Sequence, residues 1–289
     1  MKREELRAHL ERAGIHPSRS KGQNFLLEEN LCQAVARDGE LGPEDVALEI
    51  GTGLGVLTEH LVPRCHHVVS VEKDPRVLAI ARARLGAPPN LTLLEADALA
   101  TKNALEPRVL EVVRQHLVGG RRLRLVANLP YSVATPLVLG FLACDLPLEL
   151  VVVMVQLEAA ERFAAGPGHP EYGAVSVLMG ALCREVKLLR RVPPEVFWPR
   201  PQVQSAVVRC APRPERRAGY PHLEAVVRGL FNFRRKTLSS AARAAGKREP
   251  ALAWVEAALT RAGIDRERRP EELSVREFQA LAAQAPAGA

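Results

Sequence analysis

The sequence has little of what marks an exported, membrane-spanning or metal-stapled chain. Only five of its 289 residues are cysteine, namely Cys32, Cys65, Cys144, Cys183 and Cys210. They are far apart, odd in number and without a C-x-x-C pair, which suits neither a zinc site nor a disulfide framework. All five read as packing residues in a reducing compartment, and no metal is expected. No uninterrupted apolar run reaches the roughly 18 residues that a membrane span requires, so no membrane partner is expected either. The opening stretch MKREELRAHLERAG is charged and helical in pattern and lacks the apolar core of a secretory leader. There is no internal repeat and no long low-complexity segment. The expected location is the cytoplasm.

What is present is an ordinary globular composition, 47% hydrophobic and 25% charged, with a net charge of +7. The positive balance favours a polyanionic partner, but by itself does not choose between RNA, DNA and an anionic membrane surface. The length suits one large domain with a smaller appendage, and the default oligomeric state is a monomer.

Short runs rich in Val, Ile and Leu occur at Val46–Ile50, His67–Val71, Leu91–Ala96, Leu123–Ala127 and Glu149–Val155, each followed by a helical pattern. Near-continuous apolar strands alternating with helices predict a mostly parallel sheet covered on both faces. Two further runs, Arg184–Val192 and Ser205–Ala211, are separated by a proline-rich connection and fit an antiparallel pair at one edge. The total is about seven strands in a domain spanning residues 1–212. After Pro212 the chain turns to Ala, Leu, Arg and Glu at helical spacing, which predicts a small helical domain over 213–289.

Between the first of these strands and its helix lies GTGLG, with Gly51, Gly53 and Gly55. Glycines there let the backbone turn sharply and approach a ligand, while the helix N-terminus offers free N–H groups. The dinucleotide fingerprint G-x-G-x-x-G would put its third glycine on Val56, so that match fails. Preceded by Glu49, the spacing resembles instead the first motif of S-adenosylmethionine-dependent methyltransferases; a tight turn with no ligand is the structural alternative. The next strand ends at Glu72, where a carboxylate can accept both ribose hydroxyls of an adenosine. The third runs into Asp97, which can accept from an adenine amine beside the small Ala96, and is equally placed to cap a helix.

The fourth strand leads into Asn128-Leu129-Pro130-Tyr131, which resembles the fourth motif of methyltransferases acting on the exocyclic amine of adenine. That amine is a poor nucleophile because its lone pair is delocalised into the ring. If the Asn128 side-chain oxygen and a backbone carbonyl of the Leu129–Pro130 turn accept its two hydrogens, the nitrogen can pyramidalise toward a methyl donor. Proline fixes the carbonyl, and Tyr131 can stack on the base. No general base is required, since the proton leaves after the nitrogen becomes cationic.

Further segments narrow the resemblance. SKGQNFLLEENL (Ser20–Leu31) is similar to the N-terminal motif of the ribosomal RNA adenine dimethyltransferases, which implies that Gln23, Asn24 and Leu26 line the cofactor. VPPEVFWPRPQVQSAVVR carries that family's F-x-P-x-P-x-V-x-S segment, implying that Phe197 faces the far side of the target base. VQLEAAERF, EYGAVSVL and FNFRRKTLSSAA also match, the last resembling a basic helix whose Arg234, Arg235 and Lys236 would contact RNA. The family resemblance implies a Rossmann-like class I methyltransferase with a helical C-terminal RNA-binding domain. Its implied reaction is transfer from S-adenosylmethionine to N6 of two adjacent adenosines near the 3′ end of small-subunit (16S) rRNA, in an immature 30S particle, during ribosome biogenesis. The related large-subunit (23S) adenine methylases of macrolide resistance, and a non-catalytic assembly factor, are the alternatives. Thr52 does not separate the two methylase branches, since small-subunit enzymes often have proline there and the resistance methylases also use threonine.

Overall fold

The structure, a computed structural model, describes residues 10, 14–15, 24–26 and 28–286. The expected N-terminal helix, apart from Leu10 and Gly14, and the expected cofactor contact Gln23 lie outside the described residues. The chain divides into two compact units, Met1–Ala160 with Lys187–Pro212, and Glu161–Val186 with Arg213–Ala289.

The strands in chain order are β1 (Phe25–Leu26), β2 (Asp45–Ile50), β3 (His67–Glu72), β4 (Leu91–Glu95), β5 (Leu99–Thr101), β6 (Ala104–Leu105), β7 (Arg122–Asn128), β8 (Leu148–Gln156), β9 (Cys183–Val192), β10 (Phe197–Trp198) and β11 (Ser205–Pro212). Seven of them form one sheet in the order β4-β3-β2-β7-β8-β11-β9. The pairs β2–β3, β3–β4, β2–β7 and β7–β8 are parallel, and β11 runs antiparallel to β8. This is the mostly parallel sheet expected from the apolar runs, and each expected strand is present within a residue or two. The remaining pairs, β1–β10 and the hairpin β5–β6, had no counterpart in the expectation.

Burial follows sheet position. Every residue of β2 is buried, whereas the edge strand β9 alternates Arg, Glu and Lys with apolar residues and is largely accessible. Charge on an edge strand blocks pairing with another chain. The first three sheet strands run outward from β2 to β4, and the chain then returns through the helix Pro107–His116 to place β7 on the other side of β2. Strand order therefore reverses between β2 and β7. In open α/β sheets the crevice at the carboxyl ends of such strands is where ligands bind. The segment from Thr101 to Arg122 is thus this return connection, carrying the hairpin at its start.

The second unit is built from helices Ala174–Leu182, Tyr220–Phe231, Leu238–Arg248, Val255–Arg261 and Val275–Ala282. Beyond the C-terminal stretch expected to be helical, it takes in Glu161–Val186 because Tyr172 is held there. The Tyr172 hydroxyl donates to the Leu273 carbonyl at 2.7 Å, and its ring meets Phe231 edge-on, which in turn stacks on Phe278. The segment FNFRRKT, expected as a basic helix, is instead a turn between Tyr220–Phe231 and Leu238–Arg248. Bonds of the i→i+3 kind from Phe233, Arg234 and Lys236 tighten it, and Thr237 is extended. Among the described residues no helix is long and apolar enough to cross a membrane.

One buried imidazole makes the sheet sensitive to acid. His67 on β3 stacks on His116, with ring centroids 3.6 Å apart, and its Nε2 lies 2.9 Å from Thr92 Oγ1. Burial, then the neighbouring His116 and His66, lowers its pKa from 6.5 to about 4. The folded chain keeps His67 neutral at pH values where the unfolded chain has already bound a proton, so its contribution is intact above pH 6.5 and is lost as pH falls toward 4. Urea titrations across this window should show the midpoint dropping with acid, and His67→Gln should flatten part of that slope. An unaltered slope would assign the sensitivity to other groups.

Candidate active site

At the end of β2 the chain turns at Gly51. Gly51 has φ +86°, a conformation that L side chains rarely adopt, and a Cβ there would stand 3.4 Å from the Asn128 carbonyl oxygen and 3.7 Å from Pro130 Cδ. The amides of Gly51 and Thr52 both donate to the Val71 carbonyl, at 2.8 and 3.2 Å, which ties the turn to the end of β3. Next to it Glu72 is fixed at both oxygens, receiving N–H of Gly53 at 3.0 Å on Oε2 and N–H of Asp74 at 3.0 Å on Oε1. Burial raises the Glu72 pKa, while these amides and that of Lys73 oppose the rise. A carboxylate so held keeps acceptor capacity on each oxygen, as two vicinal hydroxyls would need.

Beneath the turn lies a buried polar relay that sequence reasoning missed. Glu49 is 1% exposed, and its Oε2 accepts from Ser70 Oγ and from Thr58 Oγ1, each at 2.6 Å. Since the single Ser70 hydrogen points to Glu49, the Thr52 hydroxyl 2.6 Å away is the donor to Ser70. Burial pushes the Glu49 pKa up to about 7, with the two hydroxyls pulling the other way. Thr52, Thr58 and Ser70 thus anchor the glycine turn from below. The available signal was Ser70 itself, a hydroxyl within the apolar run HVVSV.

Across the crevice β7 delivers Asn128. Among the described residues no hydrogen bond engages its side-chain amide. The Leu129 N–H donates to the Met154 carbonyl at 3.1 Å, and the Pro130 carbonyl accepts from Val133 N–H at 3.1 Å. The turn therefore leaves the Leu129 carbonyl as the acceptor without a partner among the described residues. Tyr131 extends from the same turn, and its hydroxyl lies 2.5 Å from Ser205 Oγ. Burial raises its pKa, with the Ser205 bond opposing.

One continuous crevice is lined by Asn24, Leu26, Gly51, Gly53, Glu72, Ala96, Asp97, Asn128, Leu129, Pro130 and Tyr131. Asp97 does not cap a helix: its Oδ1 accepts from Leu99 N–H at 3.1 Å at the entry to the β5–β6 hairpin, and Oδ2 lies 4.0 Å from Lys73 Nζ. Phe197 is the exception. It is 0% exposed and absent from the crevice wall. The pairing of β1 with β10 sets Leu26 opposite Phe197 and draws its ring into the core with Phe25, Val35 and Val207. In this conformation the ring supports the strand carrying Leu26 and does not face the crevice, contrary to the expectation of a base contact.

In the second unit Arg234, Arg235 and Lys236 are all exposed on their turn. Arg234 Nε lies 3.6 Å from Glu271, and Lys236 Nζ sits 5.5 Å from the centre of the Phe233 ring. Arg235 makes no ion pair among the described residues. Other arginines are engaged in ion pairs: Arg190 with Asp38, Arg200 with Glu195 and Arg243 with Glu256.

The sequence profile described as Ribosomal RNA adenine dimethylase matches residues 16–283. The chain is 40% identical over 281 residues to the Ribosomal RNA small subunit methyltransferase A of Pelotomaculum thermopropionicum, covering 96% of this chain and 94% of that one. It is 38% identical over 280 residues to the protein so named in Pediococcus pentosaceus, covering 94% and 91%. Among solved structures, a dimethyladenosine transferase from Plasmodium falciparum is similar in fold, with a TM-score of 0.73 at 22% identity over 89% of this chain and 95% of that one. The 23S rRNA methyltransferase ErmE gives 0.61 at 25% identity, covering 91% and 99%.

The burial of Phe197 separates two roles by substitution. Phe197→Ala should cost about 3–5 kcal/mol of stability through the cavity it leaves. Phe197→Leu should keep most of that stability and retain methyl transfer, assayed together with thermal denaturation. A Leu variant as stable as the parent but without transfer would show instead that the ring meets the base.

Proposed function

The chain belongs to the ribosomal RNA adenine dimethylase family, and from that premise we propose that it dimethylates N6 of two adjacent adenosines near the 3′ end of small-subunit rRNA. The observation that carries this reading is the Asn128 amide, left without a partner among the described residues beside the Leu129 carbonyl, in the crevice that Gly51 also lines. A non-catalytic assembly factor would not need this pairing. Methylation of 23S rRNA, the activity named for ErmE, is disfavoured by relatives at 38–40% identity that are all named for the small subunit.

The crevice suits S-adenosylmethionine. Glu72 presents a fixed carboxylate for ribose hydroxyls, Asp97 and Ala96 line the same crevice and can meet an adenine ring, and the positive φ of Gly51 would strain any other residue at the turn. When bound there, the cofactor supplies an electrophilic methyl group on a cationic sulfur. The protein's own part is positioning. The Asn128 side-chain oxygen and the Leu129 carbonyl accept the two N6 hydrogens of the target adenine. With both hydrogens held, the amine nitrogen gives up its conjugation with the ring and turns its lone pair toward the Gly51 side of the crevice. Tyr131 holds the base by its face. Rate arises from orientation and from fixed dipoles aimed at the developing charge. The proton departs from a cationic nitrogen, so no side chain here acts as a strong base.

A base paired in a duplex has its amine engaged, so the target adenosine must be unpaired or flipped out. Arg235 and Lys236, with Arg234 beside them, supply phosphate contacts from their turn. We assign residues 1–212 to methyl transfer and 213–289 to RNA binding, with Glu161–Val186 as part of the packing of the latter. The partner is the immature 30S particle, the setting the cytoplasm, and the working form a monomer.

Incubation with labelled cofactor and undermethylated small subunits should place label on adenine N6 of the small-subunit rRNA. Asn128→Ala should lower transfer by about 100-fold or more, the scale for removing one oriented polar group from a reaction centre, while S-adenosylhomocysteine affinity changes much less. Unchanged turnover in that variant, or label in 23S rRNA, would refute the reading.

A further inference from the structure

The F-x-P-x-P-x-V-x-S segment does more than close the sheet. Its serine, Ser205, is 0% exposed and stands at the start of β11, where its hydroxyl meets Tyr131 at 2.5 Å. The two residues are 74 positions apart in sequence, yet one strand organises both. On one side of β8, Met154 pairs with Asn128; on the other side Gln156, two residues along, pairs with Ser205. That spacing is roughly 7 Å along the strand. Both attachments are pinned by backbone bonds: Leu129 N–H donates to the Met154 carbonyl at 3.1 Å, and Leu157 N–H donates to the Gln204 carbonyl at 2.9 Å.

Tyr131 is therefore held at both ends. Its Cα rides on the Leu129–Pro130 turn, whose proline fixes the approach. Its hydroxyl is bound to a side chain on the rigid ladder of β8 and β11. A ring fixed only at Cα can still swing about two torsions. A ring tethered at its oxygen has the direction of its long axis set, and with it the place its faces occupy. Stacking on a base needs a ring held in a defined place and no hydroxyl at all, so the hydroxyl is explained by the tether and not by the stacking.

We infer that Ser205 is a positioning residue for methyl transfer: its hydroxyl fixes where the Tyr131 ring, against whose face the target adenine lies, is placed in the crevice. Ser205 does not line the crevice and acts through Tyr131 alone. The inference rests on the reading of Tyr131 as the base-stacking residue.

The two groups share one bond, so their losses should not multiply. Tyr131→Phe removes one partner and leaves the Ser205 hydroxyl buried alone; Ser205→Ala does the reverse; the double variant leaves neither unpaired. Turnover on undermethylated small subunits should fall about three- to tenfold in each single variant, the range of one hydrogen bond. The double variant should be no worse than either single. The affinity for S-adenosylhomocysteine should stay unchanged throughout, and Ser205→Thr should restore turnover. Multiplying losses, full turnover in Tyr131→Phe, or cofactor-product affinity falling in step with turnover would overturn the tether. Tyr131→Phe keeps the ring and its packing, so it decides the matter even if Ser205→Ala fails to fold. A parent chain that methylates no adenine would instead remove the functional reading itself; an active parent without coupling between the two residues removes only the tether.

Discussion

The closeness of two strand ends governs the rest of the site. β2 and β7 are parallel neighbours at the point where strand order reverses, and their carboxyl ends deliver the glycine turn and Asn128 side by side. The ends lie close together: a Cβ at Gly51 would already be in van der Waals contact with the Asn128 carbonyl oxygen at 3.4 Å and with the Pro130 ring at 3.7 Å. A positive φ at Gly51 gives the turn its direction. The two amide bonds to the Val71 carbonyl hold it there. On the proposed mechanism this sets donor pocket and acceptor pincer in register before any ligand arrives, a form of catalysis that relies on orientation rather than on an acid or base.

Under the turn the protein accepts an electrostatic cost. Glu49 is buried, and its affinity for a proton rises to match neutral pH. The hydroxyls of Ser70 and Thr58 both donate to its Oε2, and Thr52 extends the chain into the turn itself. A buried polar network of this kind specifies one geometry where apolar packing alone would allow several. The same logic recurs at the other wall, where the Tyr131 hydroxyl finds Ser205. Both walls of the crevice are braced by buried oxygen atoms contributed by strands farther along the chain.

Much of this was legible in the residues. The runs VALEI, HVVSV and LRLVA announce strands because a sheet covered on both faces must be apolar on both, and the glycines and carboxylates at their ends mark the crevice. Ten of the residues expected at the site line one cavity. What was not legible depends on contacts that no local pattern encodes. The β1–β10 pair is two residues long, too short for any periodicity, yet it sends Phe197 inward. The basic segment carries helix-forming residues, but i→i+3 bonds and the extended Thr237 make it a turn. Glu161–Val186 joins the second unit through Tyr172, whose partner Leu273 lies 101 positions away. Thr58 and Ser205 look like ordinary polar residues until the fold places them against Glu49 and Tyr131.

The account stands on the amide and carbonyl at the end of β7 gripping the amine of an adenine that faces the cofactor pocket. A crystal structure of the chain with S-adenosylhomocysteine and adenosine monophosphate tests this directly. The predicted result has the cofactor ribose on Glu72 and the monophosphate's N6 within hydrogen-bond reach of the Asn128 side-chain oxygen and the Leu129 carbonyl, its ring against Tyr131. An adenine bound elsewhere, or one bound in the crevice with N6 turned away from Asn128, would contradict it.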